Sequence, residues 1–170
     1  MRLINQFSLV LIFSILTLSL MGQQKMGHIN SGNILEKLPE VIKSNRVITS
    51  LQDSFKIEMD TKVARFRSKY EVALKAVNEG TMTPAQQKVK EDELNTEQAA
   101  LTSYQKEIEA FLNTKRQAML TPIIDKLNKA VKEVGKENGY AYIFDQAVGN
   151  LLYAADSDDV TRLVEKKLSL

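Results

Sequence analysis

GYAYIFDQAVGNLLYAA (Gly139–Ala155) is unlike the roughly one hundred residues before it. From about Val41 to Lys136 the chain is rich in Lys, Glu and Gln and patterned for helix; here charge all but vanishes and aromatic and β-branched residues crowd together. AYIFD and LLYA read as two short strands joined through Gln146–Asn150, with Gly149 in the turn. KMGHI (Lys25–Ile29) adds a third candidate strand. So few short strands are marginal in one chain, and their unpaired edges invite pairing with another. Several copies merging their strands into one β body resolves this, which makes Ile29, Tyr142, Ile143, Phe144, Leu151, Leu152 and Tyr153 candidate oligomerisation residues.

Outward from that insert, helix dominates. SGNILEKLP (Ser31–Pro39) is a brief helix, and Pro39 suits the first position of the next, where its missing N–H costs nothing. Ile48, Leu51, Phe55, Met59, Val63, Phe66, Tyr70, Ala73 and Val77 then recur at helical spacing. NEGTMTPAQQ (Asn78–Gln87) is the turn: Gly80 suits a C-terminal cap, and Thr83-Pro84-Ala85-Gln86 is a capping box. The return helix carries Leu94, Leu101 and Ile108 seven apart, with Tyr104 and Phe111 three further on, a heptad seam. It continues less strictly through Ala118, Met119, Ile123, Leu127, Val131 and Val134. Two helices joined by a short turn lie antiparallel. At about 1.5 Å per residue the rising helix extends some 55–60 Å, longer than a compact domain of this size is wide. The expected fold class is α+β, mostly α: a long antiparallel helical-hairpin arm projecting from a small β body.

Pro122 falls inside the helical pattern. It reads as a kink or hinge where arm meets body, against the alternative of two helices broken at Thr121. Gly139 ends the long helix after Lys136 and Glu137. DSDD (Asp156–Asp159) opens a last helix, VTRLVEKKL, with acids at its positive end and Lys166 and Lys167 near its negative end. The expected organisation is a signal peptide over 1–22, first strand and short helix over 23–40, hairpin arm over 41–120 with its tip near 80–84, and junction helix, strands and C-terminal helix over 121–170.

The signal reading rests on Arg2, the apolar run FSLVLIFSILTLSLM (Phe7–Met21) and Gly22 before Gln23 and Gln24. The competing reading is an uncleaved anchor, which needs about 20 apolar residues, and Asn5 and Gln6 interrupt this one. Cleavage after Gly22 is expected to place the mature chain outside the cytoplasm. It has no cysteine, so packing alone must hold the fold. Without Arg2, 22 basic residues face 21 acidic ones, a balance that argues against a nucleic-acid binder.

Site chemistry is sparse. His28 is the only histidine and reads as a strand residue with a satisfied ring, since a transition-metal site would lack its usual ligands. DSDD lacks the glycine of a calcium loop, and Lys167 stands where the closing glutamate belongs. The chain has no phosphate loop, nucleophile elbow or His-centred triad, so no catalytic, cofactor or metal residue is assigned and the chain is not expected to be an enzyme. Charge is uneven: Thr61–Lys90 is basic and Glu91–Thr114 acidic, so antiparallel pairing sets one run partly beside the other. Lys75, Lys88 and Lys90, nearest the tip, are expected to be least neutralised. They are candidate contacts for acidic clients or anionic lipid head groups, or simply a solvated face.

LTPIIDKLNKAVKEVGKENGYAYIFD (Leu120–Asp145), LLYA and SDDVT (Ser157–Thr161) resemble the C-terminal signature of the Skp/OmpH family of periplasmic chaperones. KMGHINSGNILEKLPE (Lys25–Glu40) resembles the family's N-terminal strand and short helix. The resemblance spans the mature chain; the arms match in pattern only. It implies a homotrimer in which a β body carries three hairpin tentacles around a cavity for unfolded outer-membrane β-barrel proteins. It also implies no catalytic residues and no nucleotide, hence an ATP-independent holdase. The alternative is a structural coiled-coil scaffold or spacer of the envelope, which also needs long charged helices. Met59, Ala64, Met82, Ala99, Ala100 and Met119, soft residues suited to non-selective contact, favour the holdase, as does Lys115, which breaks the seam a scaffold would keep apolar.

Overall fold

The computed structural model describes residues 24–149 and 151–170; the 1–22 signal reading lies outside them. In chain order the elements are β1 (Met26–Ile29), α1 (Ser31–Lys37), α2 (Pro39–Asn78), α3 (Pro84–Asn138), β2 (Tyr142–Asp145) and α4 (Thr161–Lys167), with 3-10 turns at Gln146–Val148 and Asp156–Asp158. The described chain forms two compact units, one of helices over Leu35–Lys126 and one of mixed structure from the residues before and after it.

In the helical unit, α2 has 40 residues, about 60 Å at 1.5 Å per residue. Leu38, forced extended by the proline that follows, precedes Pro39 as the first helical residue. The far end stops where expected. Gly80 takes φ +66°, and the N–H groups of Gly80 and Thr81 return to the carbonyls of Val77 and Ala76 at 3.1 and 3.0 Å, satisfying two orphan acceptors. Thr83 and Gln86 then form the capping box reciprocally: Thr83 N–H donates to Gln86 Oε1 at 2.8 Å and Gln86 N–H to Thr83 Oγ1 at 3.3 Å.

The two helices run antiparallel in a register that three contacts define. Phe55 meets Phe111, Lys62 Nζ sits 4.7 Å from the Tyr104 ring centroid, and Lys69 pairs with Glu97 at 2.8 Å. Each step is seven residues up α2 and seven down α3, as a heptad seam requires. Glu40 and Lys126 close the near end. Leu94, Leu101, Tyr104 and Ile108 are half-buried as the seam predicts, but Phe111 is exposed and Leu112 is buried in its place. The helix drifts against the strict seven-residue repeat, so the buried position moves by one.

Helix α3 is unbroken from Pro84 to Asn138 with Pro122 inside it. This removes the alternative of two helices parted at Thr121. Thr121 Oγ1 donates to the Gln117 carbonyl at 2.8 Å, a back-bond that keeps the side chain within the helix's own surface.

The mixed unit departs from the expected sheet. β1 and β2 are parallel, with Met26 opposite Tyr142 and Ile29 opposite Asp145. LLYA forms no strand: Leu152 and Tyr153 are irregular and exposed. The third strand reduces to one bridge, His28 to Asp159. DSDD likewise does not open α4. Asp156–Asp158 form a separate 3-10 turn, and Asp159 Oδ1 accepts from Thr161 N–H at 2.8 Å.

Apolar periodicity explains this unit's core. Leu127, Ala130 and Val134 on α3 and Val160, Val164 and Leu168 at α4 are buried at spacings of three and four, with Ile29 and Ile34. Full burial of each larger side chain contributes about 1.5–3 kcal/mol. Gly27 is needed for closeness: a Cβ there would lie 3.0 Å from the Tyr140 ring and 3.2 Å from Val160. Lys167 holds α4 to α3 through Glu133 and Glu137; both glutamates raise its pKa, Glu137 most.

Candidate functional site

Two surfaces carry the residues singled out by sequence, one in each unit. In the mixed unit, strand alternation puts Tyr142 and Phe144 on one face. Their rings stack at 6.2 Å with planes 25° apart. Both are about half exposed, Leu152 is 98% and Tyr153 83% exposed, and Leu151 is half-buried. Ile143 points the other way, half-buried, with Cδ1 3.5 Å from where a Gly135 Cβ would stand.

Ile29 does not belong to this surface. It is 4% exposed, within the chain's own core; the edges of β1 are themselves occupied, by β2 on one side and the Asp159 bridge on the other. Met26 and Val148, which the sequence reading missed, are exposed. Met26 sits beside Tyr142 in the parallel register. Alternation along β1 could have found Met26; Val148 was hidden in a stretch read as turn.

Two clasps fix this surface's supports. Asp145, the last residue of β2, accepts from Ser31 N–H and Ala147 N–H at 3.0 Å each through Oδ1, and from the Ser31 hydroxyl at 2.5 Å through Oδ2. Partial burial pushes its carboxyl up, but these hydrogen bonds outweigh that and hold it below the usual range. Asp159 follows the same balance: burial raises it, and Thr161 with His28 and Arg162 brings it lower. His28 is buried in β1 with Nε2 3.1 Å from the Ala155 carbonyl, so Nε2 carries the proton. Its ring is only half satisfied, since Nδ1 is buried without a partner.

At the hairpin tip the expected surplus of free cations is absent. Lys75 pairs with Glu79 at 3.8 Å, Lys88 with Asp92 at 3.4 Å, and Lys90 with Glu93. All three partners lie three or four positions along the chain, within the same helix or, for Glu79, at its C-terminal cap, the spacing at which side chains meet. The cross-hairpin balance inferred from the basic and acidic runs is carried by Lys69–Glu97. Farther down, Tyr104 hydrogen-bonds to Glu58, which pushes the phenol up to about 12 and lowers the carboxyl.

The surfaces therefore offer aromatic and aliphatic contact in one unit and a half-covered seam with paired charges in the other. Among the described residues no cluster of three His, Asp or Glu is placed to hold a metal ion, and no helix is long and apolar enough to cross a membrane.

The family described as "Outer membrane protein (OmpH-like)" matches residues 25–168. A crystal structure from Caulobacter crescentus CB15, described as an OmpH-like outer membrane chaperone, superposes with a TM-score of 0.67. It is 14% identical, and the match covers 86% of this chain and 85% of that one. At that identity the likeness is one of fold. No curated protein matches the sequence.

Proposed function

The chain belongs to the OmpH-like outer membrane protein family, and from that premise we propose that it is an ATP-independent holdase chaperone of the periplasm. In this reading it is a homotrimer, joined through the Tyr142, Phe144, Leu152 and Tyr153 surface, whose hairpins hold unfolded outer-membrane β-barrel proteins and keep them from aggregating. The name of the Caulobacter relative supports the chaperone part.

The observation that carries the reading is the seam of the hairpin. Two helices alone cannot cover it, so Phe66, Leu94, Leu101 and Ile108 are only half-buried and Tyr70, Leu74 and Val77 are exposed. Apolar surface left open along a rigid, charged helix pair suits transient contact with a chain that would otherwise aggregate. A passive spacer has no use for it. Such a spacer would also keep its seam apolar, whereas here Lys62, Lys69 and Glu97 occupy it.

The test is dilution of a urea-unfolded β-barrel protein into buffer containing the mature chain and no nucleotide. Suppressed light scattering at near-stoichiometric chaperone is the expected result. Aggregation equal to that with an inert helical protein contradicts the reading and returns the chain to the scaffold class.

A further inference from the structure

The hairpin's two flanks differ in chemistry near the tip. On one, α2 presents Phe66, Tyr70, Leu74 and Val77, spaced four, four and three. Opposite, α3 presents Gln98, Asn95, Glu91 and Gln87 with the same spacing in reverse. An apolar α2 wall thus faces an amide-rich α3 wall, which Leu94 and Lys90 also line, across a groove of about 350 Å³. That lies at the lower end of the roughly 300–1,000 Å³ of ligand clefts, room for side chains rather than for a folded body. Ala73, 6% exposed, is too small to fill the recess. Phe66 and Tyr70 lie 6.5 Å apart between centroids, so the apolar wall is partly aromatic.

The other flank mixes the charged Lys62, Arg65, Lys69, Asp92, Glu93 and Glu97 with scattered apolar groups such as Val89, Leu94 and Leu101, and Lys69–Glu97 and Lys90–Glu93 are paired; it carries no aromatic stripe like Phe66 and Tyr70.

We propose that the Phe66–Val77 flank is a docking groove for an extended segment of unfolded polypeptide whose alternate side chains are apolar. The inference rests on the holdase reading and adds where on the hairpin a client binds and how. In an extended chain side chains alternate between opposite faces, so one row can enter the apolar stripe. The same segment leaves peptide N–H and C=O groups unpaired. Asn95 and Gln98 each offer both a donor and an acceptor to them, and Gln87, whose Nε2 already donates to the Met82 carbonyl at 3.3 Å, keeps its amide oxygen and a second N–H. A lipid acyl chain would leave those amides unsatisfied, and a second helix, whose backbone groups are already paired, would do the same. An anionic head group would seek a free cation, and Lys90, the one cation lining the groove, is paired with Glu93.

The experiment measures binding of a fluorescent, urea-unfolded β-barrel domain to the full mature chain and to two double variants. Tyr70→Ser/Leu74→Ser removes groups from the groove that are 50% and 48% exposed; Val72→Ser/Val89→Ser removes more exposed ones outside it, at 66% and 60%. Circular dichroism and light-scattering mass verify that both fold and assemble like the parent. The groove variant should bind about tenfold or more weakly, and the control within about twofold of the parent. Equal binding by all three overturns the groove and leaves the holdase reading standing. Absence of client binding by the parent overturns both. A groove variant that changes vesicle binding to phosphatidylglycerol, or oligomer mass, without changing client affinity assigns the groove to lipid or to a second copy and overturns the proposal.

Discussion

The rings of Phe55 and Phe111 meet edge to face, centroids 5.6 Å apart and planes 81° apart, across the antiparallel helices. Residues 56 positions apart in sequence are set side by side because the turn at Gly80–Thr83 is fixed by its own caps. The Lys62–Tyr104 and Lys69–Glu97 contacts repeat the same relationship every seven residues toward the tip. An aromatic pair of this geometry contributes about 0.5–1.5 kcal/mol beyond area burial. Phe111→Ala should therefore lower stability by about 1–2 kcal/mol, with helicity at low temperature unchanged. Equilibrium denaturation checks this; an unshifted midpoint would show that the pair adds nothing to the register.

Asp145 gives a pH prediction. Its folded pKa is depressed, so between that value and the ordinary one near 4 the unfolded chain binds more protons than the folded one. The contribution is thus fully present above the ordinary value and is lost as pH falls through the depressed one. Asp145→Asn should cost about 1–3 kcal/mol at neutral pH and flatten the stability profile at the acid end. Parallel acid-unfolding curves for parent and variant would remove Asp145 from the clasp.

Pro122 lacks the N–H that would reach the Ala118 carbonyl. If it is the proposed hinge, Pro122→Ala should raise the melting temperature and narrow the distribution of tip-to-tip distances between spin labels at Thr81 in the assembled protein. An unchanged distribution makes it a static feature of α3.

Assembly is tested at Leu152, which is almost fully exposed in the single chain. A substitution there changes a lone chain by no more than about 0.5 kcal/mol, so any change in mass reports on contact between copies. Leu152→Asp should break the trimer, as seen by light scattering. A trimer of unchanged mass would move the interface elsewhere.

Local chemistry and the antiparallel helix pair were legible; the pairing within the mixed unit was not. The Thr83–Gln86 box, the Gly80 and Gly139 stops and the helix start at Pro39 each depend on a few adjacent residues, and all appear as read. LLYA failed because apolar, β-prone residues look the same whether they pair or stay exposed; Leu152 and Tyr153 do the latter. Ile29 was misread because it is buried in its own chain's core, whose other members include Val160 and Val164 far along the sequence. The tip lysines were a different error. Lys75–Glu79 and Lys88–Asp92 are written in the sequence at four-residue spacing, and a tally of net charge concealed them. The groove of Phe66–Val77 needed both helices in register before its two walls could be matched.

The central claim is that the hairpin does the holding, and it is tested most directly by shortening it. Lys62 and Tyr104 face each other, so removing Val63–Ser103 and joining them by a short Gly/Ser turn preserves the register below. Phe55–Phe111, Pro122 and the whole mixed unit remain. The decisive measurement is light scattering of a urea-unfolded β-barrel protein diluted, without nucleotide, into the full-length or shortened protein at equal trimer concentration. The account predicts that the shortened protein keeps its oligomer mass and loses suppression of client aggregation. Protection equal to that of the full-length protein would contradict it.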